Sequence, residues 1–180
     1  MSQPELSFLA PQNFYLQIDE LPDVAFLCQN VQVPSITGGE AEMSNRYNSG
    51  RAFVPGDGID YGTLDVTFLV DKYLDNYTTV LEWLKGINAP ETQEQWVNYQ
   101  KENNQTKFNQ VMKNLTLTAT DASQIPLAEW KMISCFPISL DGFQFDSAAQ
   151  DIEYMTATVS FRFHYFELIK YQNGVVVSKV

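Results

Sequence analysis

Apolar and polar residues alternate with a period of two along much of this chain. In NFYLQI, residues 13–18, Phe14, Leu16 and Ile18 share one face and Tyr15 and Gln17 the other, the mark of a half-buried strand. DVAFLCQNVQV (23–33) reads as a second strand region, ended by Pro34. TLDVTFLVD (63–71) is the clearest strand: Leu64, Val66, Phe68 and Val70 point one way, Asp65, Thr67 and Leu69 the other. NLTLTAT (114–120), with threonines on one face, and PLAEWKMISCF (126–136) follow. In DIEYMTATVSFRFHYFEL (151–168), Met155, Ala157, Val159, Phe161, Phe163 and Tyr165 make one face; Thr156, Thr158, Ser160, Arg162 and His164 make the other. Just before it, CFPISLDGFQFD (135–146) mixes strand alternation with turn residues, so Pro137 and Asp141-Gly142 are expected to re-aim the sheet and Phe136, Phe143 and Phe145 to pack in the core or an interface.

Helical spacing appears once with clear boundaries, over residues 75–86. Tyr77, Val80, Leu81 and Leu84 form the stripe, Asp75 is the expected N-cap, Gly86 the expected C′ residue, and Trp83 falls on the flank of the stripe. ETQEQWVNYQKENN, after Pro90, predicts a further short helix in a polar stretch, 88–113. Residues 35–62 hold six glycines and scattered charges. Loops this long are usually functional or folded over a neighbour, and parts of this one can pair as a long hairpin anchored by Tyr47, Phe53 and Val54. The pattern as a whole predicts one mainly β domain over 1–180: antiparallel sheets, sandwich- or barrel-like, with one principal packed helix. The second face of many strands is Thr, Ser, Gln and Asp, so one side of a sheet should meet water or a water-filled space.

Composition narrows the function classes. The chain of 180 residues is 44% hydrophobic and 18% charged, a globular mix. A net charge of −11, with no Lys or Arg before Arg46, gives it no basic surface for nucleic acid. No apolar run approaches a membrane span, and MSQPELSFLAPQ lacks the basic and apolar regions of a secretory leader. Cys28 and Cys135 lie in strand segments and are expected as buried free thiols in a reducing compartment. The N-x-T triplets at Asn76, Asn104 and Asn114 read as chance matches.

Catalytic patterns do not emerge. His164 is the single histidine, and a strand histidine without an orienting acid or further ligands is a surface residue before it is a base. Asp19, Glu20, Asp23, Asp57, Asp60, Asp141 and Asp146 sit in turns, where acids serve turn geometry; a carboxylate-pair hydrolase remains a third reading. GDGIDYG lacks the spacing of a dinucleotide or phosphate loop and the ligand series of a calcium loop. No cofactor, metal or enzymatic activity is expected.

Five segments together carry a family resemblance. NFYLQI, FLCQNVQVPSITGGE, RAFVPGDGIDYGTLDVTFLVD, the Tyr77, Leu81 and Trp83 helix pattern, and the closing pair CFPISLDGFQFD and DIEYMTATVSFRFHYFEL resemble, in order and spacing over about residues 13–168, the tail-tube proteins of contractile-tailed bacteriophages. The resemblance implies a structural virion protein in which six subunits lend strands to one closed β-barrel. Such rings stack into a hollow conduit through which DNA passes without sequence-specific binding. It implies tail sheath, baseplate and tape-measure partners, no membrane, and assembly in the host cytoplasm. On that reading 35–62 is an inter-subunit loop reaching the adjacent ring, with Tyr47, Arg51, Phe53, Asp57 and Asp60 as contact residues. Asp65, Thr67, Thr156, Thr158 and Ser160 face an acidic lumen, with Arg162 an exception paired to an acid, and Tyr77, Leu81, Trp83 and Leu84 pack the helix. The stretch 88–113 is longer than the family needs. IKYQNGVVVSKV (169–180) extends past its usual end as an added hairpin. A baseplate tube initiator, the tube of another contractile injection system and a secreted hexameric ring protein are readings within the same class. A β-sandwich module for a small ligand or carbohydrate is the alternative from a different class.

Overall fold

The computed structural model describes residues 9–19, 21, 27–43, 51–88, 94, 97, 112–145, 154–172 and 175–179. Ten strands and one long helix follow in the order β1 (Phe14–Ile18), β2 (Cys28–Gln32), β3 (Ile36–Met43), β4 (Ala52–Tyr61), β5 (Leu64–Leu69), α1 (Asp75–Asn88), β6 (Lys113–Thr120), β7 (Pro126–Leu140), β8 (Thr156–Arg162), β9 (Tyr165–Gln172) and β10 (Val175–Lys179). All pairings are antiparallel. The short helix expected after Pro90 lies almost wholly outside the described residues, as do residues 22–26 of the second strand region.

β7 is the strand on which the rest is hung. Its first half, Ala128 to Ile133, pairs with β6 on one side and β9 on the other; its second half, Phe136 to Leu140, pairs with β8. Between the halves the chain turns at Ser134, whose φ of 57° lies in the left-handed region. The amide of Ser134 donates to Asn114 Oδ1 at 3.2 Å, and across the ribbon His164 N donates to Ile133 O at 3.0 Å. Ile133 opposes Tyr165 and Phe136 opposes Arg162, so the ribbon formed by β7 with β8 and β9 bends without losing its register. One sheet therefore runs β1-β6-β7-β9-β10 and the other β7-β8-β5-β2, sharing β7.

Two expectations change here. The bend sits at Ser134, and Pro137 is a fully buried member of the strand, opposite Phe161. Pro fits because this half of β7 is the edge of its sheet and needs no donor on the outer side. The predicted strand 151–168 is divided at Phe163–His164. The division inverts the alternation: Phe163 is buried, whereas Tyr165 is 45% exposed and leaves the core face. His164 is exposed at the corner itself.

The core lies between the sheets. Leu16, Ile18, Leu64, Val66, Phe68, Leu115, Leu117, Met132, Cys135, Val159 and Phe161 are its buried strand residues. β5 shows the cleanest alternation, with Leu64, Val66 and Phe68 buried and Asp65, Thr67 and Leu69 half-buried. β6 departs from the expected polar face, because Thr118 and Thr120 are themselves buried. α1 closes the core through Asn76, Val80, Trp83 and Gly86. Trp83 is thus at the centre of the packing stripe, its ring 5.7 Å from that of Phe161 and 5.6 Å from Lys113 Nζ. Tyr77, Leu81 and Leu84 flank it, half-buried.

The ends of α1 also differ from expectation. The helix runs past Gly86 to Asn88, so that glycine is a packing position and not the terminator. Asp75 is the first helical residue, while Leu74 supplies the carbonyl that accepts from Thr78 N at 2.8 Å. The buried Asn76 side chain accepts from Tyr77 N at 2.7 Å and from Asp71 N at 3.2 Å, and donates to Leu69 O at 2.6 Å. Those bonds tie the helix start to the end of β5 and occupy the Asn76 amide, which suits structure and not glycosylation.

Both cysteines are free; Cys135 is buried and Cys28 half-buried. Burial pushes the Cys135 thiol from 9.0 up to about 12, so its contribution to stability is complete below pH 9 and is lost as pH rises toward 12. Cys135→Val therefore flattens the alkaline limb of a stability–pH curve in that window. Ser134→Val, which cannot take the left-handed conformation cheaply, lowers stability by about 1–3 kcal/mol in urea unfolding, whereas Ser134→Gly changes it by less than about 1 kcal/mol.

Candidate functional site

The outer face of the four-stranded sheet gathers the polar residues. In register across it stand Gln32, Asp65 and Ser160, and in the next row Asn30, Thr67 and Thr158, with Ser139 of β7 opposite Ser160. Thr67 Oγ1 and Thr158 Oγ1 are hydrogen-bonded across the strands at 3.1 Å, and either hydroxyl can donate. Thr156 opposes Leu69 at the end of the same face, and Arg162 opposes Phe136 at the other. The fold thus brings Asp65, Thr67, Thr156, Thr158 and Ser160 onto one surface, as the alternation of β5 and β8 requires. The surface is hydroxyl and amide in character, with one acid, Asp65, and one base, Arg162. Asp65 Oδ1 is buried and has no hydrogen-bond partner among the described residues.

A second feature projects from this sheet. β3 and β4 pair with each other alone and continue the β2–β5 ribbon: Gln32 opposes Asp65, and four residues on Ile36 opposes Tyr61. At the junction Gly62 N donates to Ser35 O at 2.8 Å, and a Cβ on Gly62 would lie 2.7 Å from Ser35 Oγ, a side-chain atom that can rotate, and 3.3 Å from Ser35 N, so the two strands approach closely there. The long glycine-rich segment is therefore a paired arm. All eight residues of β3 are exposed, a length of roughly 26 Å at the usual rise. Midway, Gly56 crosses Gly39 so closely that a Cβ would sit 2.9 Å from its carbonyl carbon, and the register shifts there.

The arm is fixed at its base and bare beyond it. Tyr61 packs on Phe163 at 5.7 Å and on Phe166 at 5.6 Å between ring centroids. Arg162 Nη1 donates to Tyr61 O at 3.4 Å and lies 3.9 Å from Asp60 Oδ1. Arg162 thus lies beside an acid of the arm, in an exposed pair of little energetic weight. Farther out, Arg51 Nε meets Glu42 Oε1 at 3.4 Å, an exposed pair of little energetic weight. Phe53 is 58% exposed and Ile59 64%, while Ile36, Met43 and Asp57 are exposed too. Tyr47 lies outside the described residues. Five named contact residues of this loop thus reduce to four that can be placed, of which Asp60 lies beside Arg162 of its own subunit's body.

The pairing order defines two flanks. β8 and β9 lie on one side of β7, so that side of the molecule ends in β2 for one sheet and β10 for the other. The opposite side ends in β1 for the five-stranded sheet and in the second half of β7 for the four-stranded one. On the described residues each of these four edges has an unpaired side. Alternation alone could not find them, because pairing order is not written in the periodicity.

Among the described residues no group of three or more His, Cys, Asp or Glu could hold a metal ion. No described helix is long and apolar enough to cross a membrane.

The phage tail tube protein family matches the chain over residues 5–168. No curated protein matches it in sequence. Among solved structures it is similar to the tube-terminating cap of the anti-feeding prophage, with TM-score 0.66 and 14% identity over 95% of this chain and 97% of that one. A chain of the 6-fold symmetrised anti-feeding prophage baseplate gives TM-score 0.61 and 13% identity over 94% and 98%. One from the extended sheath–tube complex of the extracellular contractile injection system PVC gives 0.60 and 15% over 93% and 95%. At such identities these structures speak to the fold, and the fold is shared from end to end.

Gly56→Ala tests the arm separately from the body. The added methyl meets backbone, so amide exchange across 36–61 should quicken while global stability moves by less than about 0.5 kcal/mol.

Proposed function

The chain belongs to the phage tail tube protein family, and on that premise we propose that it is a structural subunit of a phage tail, joining with five copies into a ring and stacking ring on ring into a hollow tube. The observation that carries the reading is the four-stranded sheet with a polar outer face and two open edges. β2 and β7 are those edges, and their directions are opposite: neighbours placed side by side by rotation bring β2 of one against β7 of the next, antiparallel like every other pair in the fold. Closing six such sheets removes both edges of each and turns the hydroxyl and amide face inward, around water. Asp65, Thr67, Thr156, Thr158 and Ser160 then line the lumen. That surface offers phosphate no cationic cluster, since its one Arg is engaged by Asp60. DNA slides where nothing grips it.

The arm supplies the second direction of assembly. Phe53, Ile59, Arg51, Asp57 and Asp60 stand on or near a projection too exposed to serve its own core, and we assign it to contacts between subunits, including the adjacent ring. Contacts of that kind do not close on themselves, so they propagate into a filament. The protein acts by shape, without catalysis or cofactor, as a component of the virion tail. Sheath and baseplate are its expected partners. A baseplate initiator ring would use the same edges.

Electron microscopy of the purified chain, concentrated and with a baseplate template, is the direct test; rings of six or hollow tubes are expected, and a protein that stays monomeric on the template overturns the reading. Ile138→Lys adds a charge at the half-exposed bulge of the β7 edge and should abolish rings with the monomer still folded. In assembled tubes, Thr67→Cys and Thr158→Cys should react with small maleimides and resist bulky ones that label the free subunit. Equal labelling by both reagents would remove the lumen assignment.

A further inference from the structure

The family match ends at residue 168, yet the ordered fold does not. β9 continues to Gln172 and β10 returns alongside it, adding an edge strand that the matched region lacks. This addition is built to hold a shape. Lys179 Nζ meets Glu167 Oε2 at 2.8 Å, and the Tyr171 hydroxyl donates to Glu129 Oε2 of β7 at 2.6 Å. What it presents is apolar: Val175, Val176 and Val177 are 66%, 54% and 62% exposed, three valines in a row on a chain of net charge −11. The register shifts between Val176 and Ser178, so Val177 is a bulged residue whose side chain is re-aimed. An exposed apolar edge is a liability unless something covers it.

The pairing order says what can. β10 ends the five-stranded sheet on the flank where β2 ends the four-stranded one, and β1 ends it on the flank where β7 does. If β2 meets the next subunit's β7, the same lateral approach brings β10 toward the next subunit's β1. Both are five residues long. Since β1, β7 and β10 run in one direction through the alternating pairs, β10 and the neighbour's β1 are parallel. With their starts level, Val176 lies beside Tyr15, which is 52% exposed, and Lys179 comes to the end of β1, where the sequence continues into Asp19 and Glu20. Apolar faces apolar, and Lys179, paired with Glu167 in its own hairpin, comes near the exposed Asp19 of the neighbour.

We propose that the β9–β10 hairpin is a lateral latch, whose valine edge docks on the β1 edge of the adjacent copy of this chain and closes a second, outer contact around the ring. The latch rests on the tube reading, because it uses the flanks that ring closure brings together. It gives each interface two points of attachment, one in each sheet, and so resists the rocking that a single seam allows.

Cross-linking separates the latch from the reading beneath it. Val176→Cys and Tyr15→Cys subunits are mixed, assembled and mildly oxidised; Cys28 and Cys135, with thiols pushed up by burial to about 11 and about 12, stay largely unreactive near neutral pH. Covalent dimers in the mixture and in neither variant alone are expected, with a ladder up to six in the double variant. Rings without cross-links overturn the latch and leave the tube reading standing. Cross-links in Val176→Cys alone mean that β10 meets β10, which also overturns it. No rings from the unmodified chain on a baseplate template overturns both. Val177→Lys, still folded by circular dichroism, should raise the concentration needed for ring assembly about tenfold. An unchanged assembly concentration would count against the latch independently of any cross-link.

Discussion

One residue in an unfavourable backbone conformation governs the arrangement. Ser134 holds φ at 57° in the middle of a fifteen-residue strand, and its amide is taken by the side chain of Asn114. Left-handed backbone at a non-glycine costs about 1–2 kcal/mol. That cost is met because β7 is paired on both sides of the bend, so relaxing Ser134 would break the register with β6, β8 and β9 together. Everything functional descends from the bend. It puts one half of β7 in the middle of a five-stranded sheet and the other at the edge of a four-stranded one. An open edge at β7, the seam on which the proposed ring closure depends, exists only because the strand leaves its first sheet.

The strand faces were legible from the sequence because period two maps directly onto a pleated sheet. Leu64, Val66 and Phe68 went inward, and Asp65, Thr67, Thr158 and Ser160 met on one surface, because two alternating strands paired in register must present their polar sets together. The bend was not legible. Nothing in the residue type of Ser134 announces a positive φ, whereas Pro137, three residues on, carries the stronger turn signal and drew the expectation. Likewise Gly86 looks like a helix terminator by composition, but tertiary packing against the sheet carries α1 past it. Trp83 fell outside the stripe defined by Tyr77 and Leu84 because the real stripe contains an asparagine: Asn76, Val80, Trp83 and Gly86. A buried, fully bonded Asn is invisible to a hydrophobicity pattern. Edge identity was hidden for a further reason, since which strand neighbours which depends on contacts distant in sequence.

The arm illustrates how glycine content and function connect. Gly56 is needed where its backbone crosses that of Gly39 within the reach of a methyl group, and Gly39 and Gly62 stand at close approaches too. These close approaches shape a ribbon whose side chains stay exposed along its length. Rigidity comes from the base: Tyr61 sits against Phe163 and Phe166, and Phe163 belongs to the corner that Ser134 creates. The arm and the bend are therefore coupled through a single aromatic cluster. A projection anchored in the core can carry a fixed direction into a neighbour, where a loop without that anchor would pay ordering entropy on contact.

Charge sets the terms on which such a subunit associates. At −11 per copy, like subunits repel over a Debye length of about 8 Å at physiological ionic strength, and only short-range contact can overcome this. The open edges are themselves guarded: β2 carries a register shift at Gln29, β7 has Pro137 and a bulge at Ile138, and β10 has its bulge at Val177. Irregular edges reject casual strand addition, because an arbitrary strand cannot satisfy a shifted hydrogen-bond ladder. A matching irregular edge, held in place by an arm and by apolar contact, can. Repulsion at long range and irregularity at the edges then act together, and both disfavour indiscriminate pairing of one copy with another.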